Sequence, residues 1–192
     1  MLNNSLPEWQ TIKYERGSKI VSELDSLWLV KQGIIKNFTY DPEGQKVILG
    51  YWGKGDVIGQ TMTYFDAYEI ECLSAVELAI VPYLDWHYLA KEIRHCFQDL
   101  ERLIYIFSQK NIEEKLLELL IYLGDKFGYH HQLGKAIAIP LTHRELSLWL
   151  NTTRVSITRS LNKLETKNYI AIPQRGTIIL RTTEIPRLNY KI

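Results

Sequence analysis

The stretch "LTHRELSLWLNTTRVSITRSLNKLETKNYIAIPQRGTIIL", residues 141–180, decides how this 192-residue chain is organised. Thr142 is followed three residues later by Glu145, the capping-box spacing that predicts a helix start, and Leu146, Trp149 and Leu150 then supply its inward side. "NTT" (151–153) reads as a tight turn, after which Thr152 or Thr153 caps a second helix running to about Asn168. In that helix Ile157, Leu161 and Leu164 recur at i, i+4 and i+7 and define a buried stripe. Arg154, Val155, Thr158, Arg159 and Asn162 are left on or near the other side. "YIAIPQRGTIIL" (169–180) then predicts two short strands joined through Gln174, Arg175 and Gly176. Helix, tight turn, helix and hairpin together predict a winged helix-turn-helix, whose second helix enters the major groove of DNA by its N-terminal end.

The residue types suit that task. An arginine fork bonds O6 and N7 of guanine together, and a valine methyl sits against the C5-methyl of thymine while accepting no hydrogen bond. Small hydroxyls at a helix start bind phosphate together with the exposed backbone N–H groups. The competing reading is a protein-packing helix pair with a solvated basic face. The capping box, turn length, wing and charge split together favour the first. Residues 1–134 carry 13 Lys+Arg against 19 Asp+Glu, a net of −6, whereas residues 135–192 carry 10 against 3, a net of +7. The overall +1 therefore hides a basic tail suited to a polyanion.

Upstream, the first 80 or so residues read as short strands broken by glycine turns: "TIKYERGSKIV", "SLWLVKQGIIKNFTY", "QKVILGYWGKGDVIG" and "VELAIVP". "DPEG" (41–44) has the residue order of a type I turn and predicts a hairpin of 34–40 with 45–52. Turns at this spacing predict an antiparallel roll or barrel. From Tyr83 the period changes. Phe97, Leu100, Ile104 and Phe107, then Asn111, are spaced 3-4-3-4 like a helix seam, with Leu103 and Ile106 off it, so this helix is expected to meet both a partner helix and its own roll. "IEEKLLELLIYLGDKFG" predicts another amphipathic helix with Gly124 and Gly128 as stops, and places His130 and His131 in an exposed loop.

Other chemistry finds little support. No apolar run approaches 18 residues and no secretory leader is visible, so no membrane partner is expected and the expected location is cytoplasmic. Cys72 and Cys96 form no metal-ligand spacing, and the five histidines and the carboxylates form no paired-acid, nucleophile–base or metal-binding arrangement. Neither a metal nor an enzymatic activity is expected.

"IKYERGSKIV" (12–21), "LWLVKQGIIKNFTYDPEGQKVILGYWGKGDVIG" (27–59) and the whole of 141–180 follow the order seen in the cyclic-AMP receptor protein and fumarate–nitrate regulator superfamily of bacterial transcription factors, which this chain resembles. Within it, "TRVSITRSL" (153–161) is most similar to the recognition helix of the cyanobacterial nitrogen-control regulators. The resemblance implies an α+β fold: an N-terminal antiparallel β-roll (a double-stranded β-helix, cupin-like) over residues 1–90, a dimerisation helix over 91–111, and a winged helix-turn-helix over 112–192. It implies a homodimer joined through Phe97, Leu100, Ile104 and Phe107, bound to double-stranded DNA on a palindrome, with RNA polymerase as a further partner. Arg154, Val155 and Arg159 take the base-contacting positions. Thr142, His143, Thr152, Thr153, Ser156 and Arg175 take the phosphate-contacting ones. Val155 stands where the cyclic-AMP receptor has a glutamate, so the half-site expected is GTA rather than GTGA.

The sensor half departs from that pattern. Cyclic-nucleotide binders have a glutamate after the "GDxxG" run and an Arg-Ser or Arg-Thr pair shortly beyond. Here Gln60 follows Gly59, and from Gln60 to Leu78 there is no Lys or Arg, while Asp66, Glu69, Glu71 and Glu77 add negative charge. No cofactor and no cyclic-AMP binding are expected. An effector pocket, if kept, would involve Gln60, Tyr64, Tyr68 and Arg102, with Tyr64, Phe65 and Tyr68 filling it. A degenerate helix-turn-helix holding a protein partner, and a regulator responding to 2-oxoglutarate or another small ligand, are the alternatives.

Overall fold

The computed structural model describes residues 7–20, 26–174 and 176–181, and these fall into two compact units, 1–102 and 103–192. The first unit is a roll of two four-stranded antiparallel sheets. Its strands are β1 (Thr11–Tyr14), β2 (Lys19–Ile20), β3 (Ser26–Gln32), β4 (Ile35–Tyr40), β5 (Lys46–Trp52), β6 (Val57–Ile58), β7 (Glu69–Cys72) and β8 (Val76–Pro82). One sheet has the order β1-β8-β3-β6 and the other β2-β7-β4-β5. The crossing of chain order between the sheets is what makes the unit a roll rather than a meander.

The β4–β5 hairpin forms as expected from "DPEG". Asp41 Oδ1 accepts from Gln45 N at 2.7 Å, Gly44 N donates to Asp41 O at 2.9 Å, and Gly44 takes φ +79°, which glycine adopts without a Cβ clash. Between the sheets lie Ile20, Leu27, Val30, Ile35, Trp52, Val57, Ile70, Cys72, Leu78 and Val81 among others, all buried. Burial also pushes the Cys72 thiol up to about 11, and Cys96 points its Sγ at Val57 O, 3.7 Å away, so both cysteines are core thiols.

After a 3-10 stretch (Tyr83–Leu89) comes helix α1 (Ala90–Ser108), which crosses the division between the units. The second unit continues with α2 (Ile112–Phe127), the hairpin β9 (Gly128–His131) and β10 (Gly134–Ile137), α3 (His143–Trp149), α4 (Arg154–Thr166), and the hairpin β11 (Ile170–Gln174) and β12 (Thr177–Leu180). Its sheet has the order β11-β12-β10-β9. Asn111, last of the predicted seam, is the N-cap of α2: its side chain accepts from Glu113 N at 2.9 Å.

Two expectations about this unit change. Gly124 does not stop α2, which runs on to Phe127. A Cβ there would lie 2.3 Å from Leu180 Cδ1, so this glycine lets β12 approach the helix. His130 and His131 lie not in a loop but on β9, paired with β10 as His131 to Gly134 and His130 to Lys135. Its partner β10 is in turn held by β12, where Ala136 and Ile179 are fully buried. Among the described residues, no helix is long and apolar enough to cross a membrane.

Candidate nucleic-acid interface

The site is assembled from local signals first. Thr142 accepts from Glu145 N at 3.1 Å and Glu145 returns its carboxylate to Thr142 N at 3.3 Å, completing the capping box of α3. Thr153 caps α4 by accepting from Ser156 N at 3.1 Å, and its hydroxyl also meets Ser156 Oγ at 2.9 Å. Between the helices Asn151 takes φ +48°, a left-handed turn that asparagine tolerates better than most residues, and Thr152 N reaches back to Ser147 O at 2.9 Å. Thr153 is thus the cap, and Thr152 closes the turn.

Packing then decides which faces remain available. Leu146, Trp149 and Leu150 of the first helix and its turn, and Ile157, Leu161 and Leu164 of α4, are buried. Trp149 stacks edge-on with Phe107, centroids 6.4 Å apart. On the C-terminal half of α4, Lys163 and Lys167 are both committed to Glu113 of α2, the first at 3.8 Å, and Glu165 Oε1 accepts from Ile172 N at 3.1 Å. Those cations serve the domain. Arg154 and Arg159 are exposed, and among the described residues neither has an ion-pair partner; Val155 is 59% exposed between them in sequence. The N-terminal half of α4 is therefore a free edge with two guanidinium forks, an uncovered methyl pair and the hydroxyls of Thr153 and Ser156.

His143 links the two helices. Its Nδ1 lies 2.9 Å from Thr158 Oγ1, and the same hydroxyl donates to Arg154 O at 2.9 Å. Beyond α4, the strands pair Gln174 with Thr177 through a turn in which Gly176 has φ +84°, and Gln174 Nε2 donates to Thr177 Oγ1 at 3.2 Å. Arg175, placed at the wing by sequence, lies outside the described residues.

The long helix keeps its seam uncovered. Phe97, Leu100, Ile104 and Phe107 are 66%, 41%, 70% and 37% exposed, whereas Leu103 and Ile106 are buried.

In the roll, the four residues named for an effector pocket separate. Gln60 Nε2 donates to Phe65 O at 3.0 Å, Tyr64 is 95% exposed, and Phe65 is exposed beside it, so Tyr64 does not fill the interior. Arg102 is half-buried at the end of this unit, with its Nε shielded from solvent. Tyr68 does turn inward, and two residues that sequence reasoning missed meet it there. Trp52 Nε1 donates to Asn37 Oδ1 at 2.8 Å, and Asn37 Nδ2 donates to the Tyr68 hydroxyl at 3.2 Å. Burial pushes that hydroxyl up to about 12, only partly offset by the Asn37 bond. A Cβ on Gly50 would lie 3.1 Å from the Trp52 ring, so glycine makes room for the indole. The available signal was an asparagine within the predicted hairpin strand, opposite Gly50. Nearby, the buried Lys36 ammonium is paired with Glu71 at 3.0 Å.

Residues 114–185 match the Crp-like helix-turn-helix domain, and residues 11–92 match the cyclic nucleotide-binding domain. The regulatory protein CysR of Synechococcus elongatus, a cyanobacterium, is 35% identical over 159 residues, covering 80% of this chain and 75% of CysR. The chain belongs to the Crp/Fnr family. It is a transcriptional regulator of that family with a helix-turn-helix DNA-binding domain. The fumarate and nitrate reduction regulatory protein of Escherichia coli is 24% identical over 172 residues, covering 80% of this Crp/Fnr chain and 67% of that one. In fold it resembles a cyclic nucleotide-binding domain protein of Listeria monocytogenes (TM-score 0.77, 15% identity, 91% of this chain and 90% of that one). It also resembles a CRP-family transcriptional regulator of Thermus thermophilus (TM-score 0.73, 16% identity, 88% and 91%). The roll, long helix and winged helix-turn-helix expected of a Crp/Fnr regulator are the observed architecture, and its relatives are regulators rather than enzymes.

Proposed function

We propose that this regulator binds DNA as a homodimer on a palindrome of GTA-type half-sites, with an effector compartment that does not take cyclic AMP. One observation carries the DNA reading: α4 buries Ile157, Leu161 and Leu164 while Arg154, Val155 and Arg159 stay exposed on its N-terminal half. In the groove the two forks address guanines, Val155 faces a thymine methyl, and Thr142, His143, Thr152, Thr153, Ser156 and Arg175 address phosphates. The exposed seam of α1 supports a two-fold dimer, and two-fold helix-turn-helix dimers read half-sites about one helical turn of DNA apart. RNA polymerase is then the protein partner at the bound site.

Arg154→Ala and Arg159→Ala are each expected to weaken specific binding by about 1–3 kcal/mol with the fold retained. Fluorescence anisotropy on a GTA palindrome, with circular dichroism as the fold check, measures this. Unchanged affinity in either variant removes the groove-reading role from that arginine.

The compartment reading rests on the Trp52–Asn37–Tyr68 chain inside the roll and on the lack of any cation from Gln60 to Leu78. A cyclic phosphate, or a dicarboxylate such as 2-oxoglutarate, needs a cationic partner there. Lys36, the buried cation nearby in the sheet, is paired with Glu71. Calorimetry is expected to give no heat with cyclic AMP at millimolar concentration, and a micromolar fit would overturn the assignment.

A further inference from the structure

We infer that His143 takes up a proton when the chain binds DNA, because the hydrogen-bond chain from His143 through Thr158 to Arg154 leaves only the charged ring able to meet a phosphate. The inference rests on the reading of α3 and α4 as a DNA-binding pair. Thr158 has a single hydroxyl hydrogen, and because the Arg154 carbonyl 2.9 Å away can only accept, the hydroxyl satisfies that contact by donating to it. The hydroxyl oxygen must therefore accept from His143 Nδ1, also at 2.9 Å, so Nδ1 carries a hydrogen. A neutral imidazole has one N–H, which leaves Nε2 as a bare lone pair. A lone pair and a phosphate oxygen repel, so contact requires a second N–H at Nε2. That hydrogen comes from solvent, and the ring becomes an imidazolium paired with the phosphate.

Among the described residues, His143 has no ion-pair partner. On α3 the charged neighbours are Arg144 and Glu145, and the Glu145 carboxylate is held by the backbone N–H and hydroxyl of Thr142. On α4, the helix packed against it, they are Arg154 and Arg159, and α4 has no acidic residue before Glu165, whose Oε1 is taken by Ile172 N. The phosphate is then the anion that pairs with the charged ring. The same hydroxyl back-bonds the carbonyl of Arg154, so the protonated ring also anchors the first turn of the reading helix.

Binding to a GTA palindrome, measured by anisotropy at constant ionic strength, is expected to weaken by at least about tenfold from pH 6 to pH 8. His143→Gln, a neutral donor of similar reach, is expected to flatten that dependence, while His87, His95, His130 and His131 remain in every variant and cancel in the comparison. Thr158→Val separates this inference from simple proximity. Without the hydroxyl, the neutral ring can place its one hydrogen on Nε2, so the pH dependence shrinks although His143 is still present, whereas Thr158→Ser retains it. Calorimetry of the native chain in two buffers of different ionisation enthalpy is expected to count about one proton taken up per protomer. A native pH slope in His143→Gln or Thr158→Val, or no proton uptake, overturns the inference. Specific binding that does not vary with pH sinks it alone, whereas no DNA binding at any pH sinks the DNA reading beneath it. The buffer comparison needs no variant, so a misfolded substitution does not shelter the idea.

Discussion

Raising salt from 50 to 200 mM is expected to weaken binding to a GTA palindrome by on the order of 10³-fold or more, the loss typical of a protein that neutralises about 6–10 phosphates. Residues 135–192 carry a net of +7 against −6 for the rest of the chain, so the attraction is concentrated where the helix-turn-helix lies. Not all of that charge is available. Lys163 and Lys167 are held by Glu113, and Lys135 is paired with Asp125 at 3.1 Å. Arg154 and Arg159 are exposed and have no ion-pair partner among the described residues, which leaves both available in the proposed complex. A titration series on the palindrome and on a random duplex measures the slope and the specificity together. Affinity that does not change with salt, or equal affinity for both duplexes, would favour a helix pair built for a protein partner.

Leu161→Ala is expected to destabilise the second unit by about 2–5 kcal/mol, the range for truncating a buried leucine that leaves a cavity. Leu161 is 1% exposed at the centre of the stripe by which α4 packs on its domain. DNA binding should fail with the fold, whereas Arg154→Ala leaves unfolding unchanged and lowers affinity alone. Urea unfolding followed by circular dichroism reads the difference. A loss below about 1 kcal/mol would mean that α4 is held mainly by its end contacts, Glu113 with Lys163 and Lys167 and Glu165 with Ile172.

The reading helix was legible because its signals are local. Thr142 with Glu145 and Thr153 with Ser156 act within a single helical turn, and the Ile157–Leu161–Leu164 spacing is a property of one helix. The β9–β10 hairpin was not legible. "GYHH" and "GKAI" have little strand pattern of their own; "GKAI" pairs through Lys135 and Ala136 with Leu180 and Ile179, more than 40 residues away, and "GYHH" pairs with "GKAI". Gly124 was misread for the same reason: its partner is Leu180, so a stop signal by sequence is a close-packing site in space.

The sensor half shows the same division. That Gln60–Leu78 carries no cation is written in the sequence, so any cation facing an anionic effector there has to come from another segment. That Trp52, Asn37 and Tyr68 join inside the roll is not, because three strands and a loop must first bring positions 15 and 31 residues apart into hydrogen-bond distance. The sequence by itself determined where helices α3 and α4 begin, which face of α4 is apolar and which residues are left on its other face, since caps and helical periodicity act over a few residues. The tertiary structure decided which cations are already spent on Glu113, what fills the roll, and which hydroxyl meets His143 Nδ1, since each depends on a partner that only folding supplies.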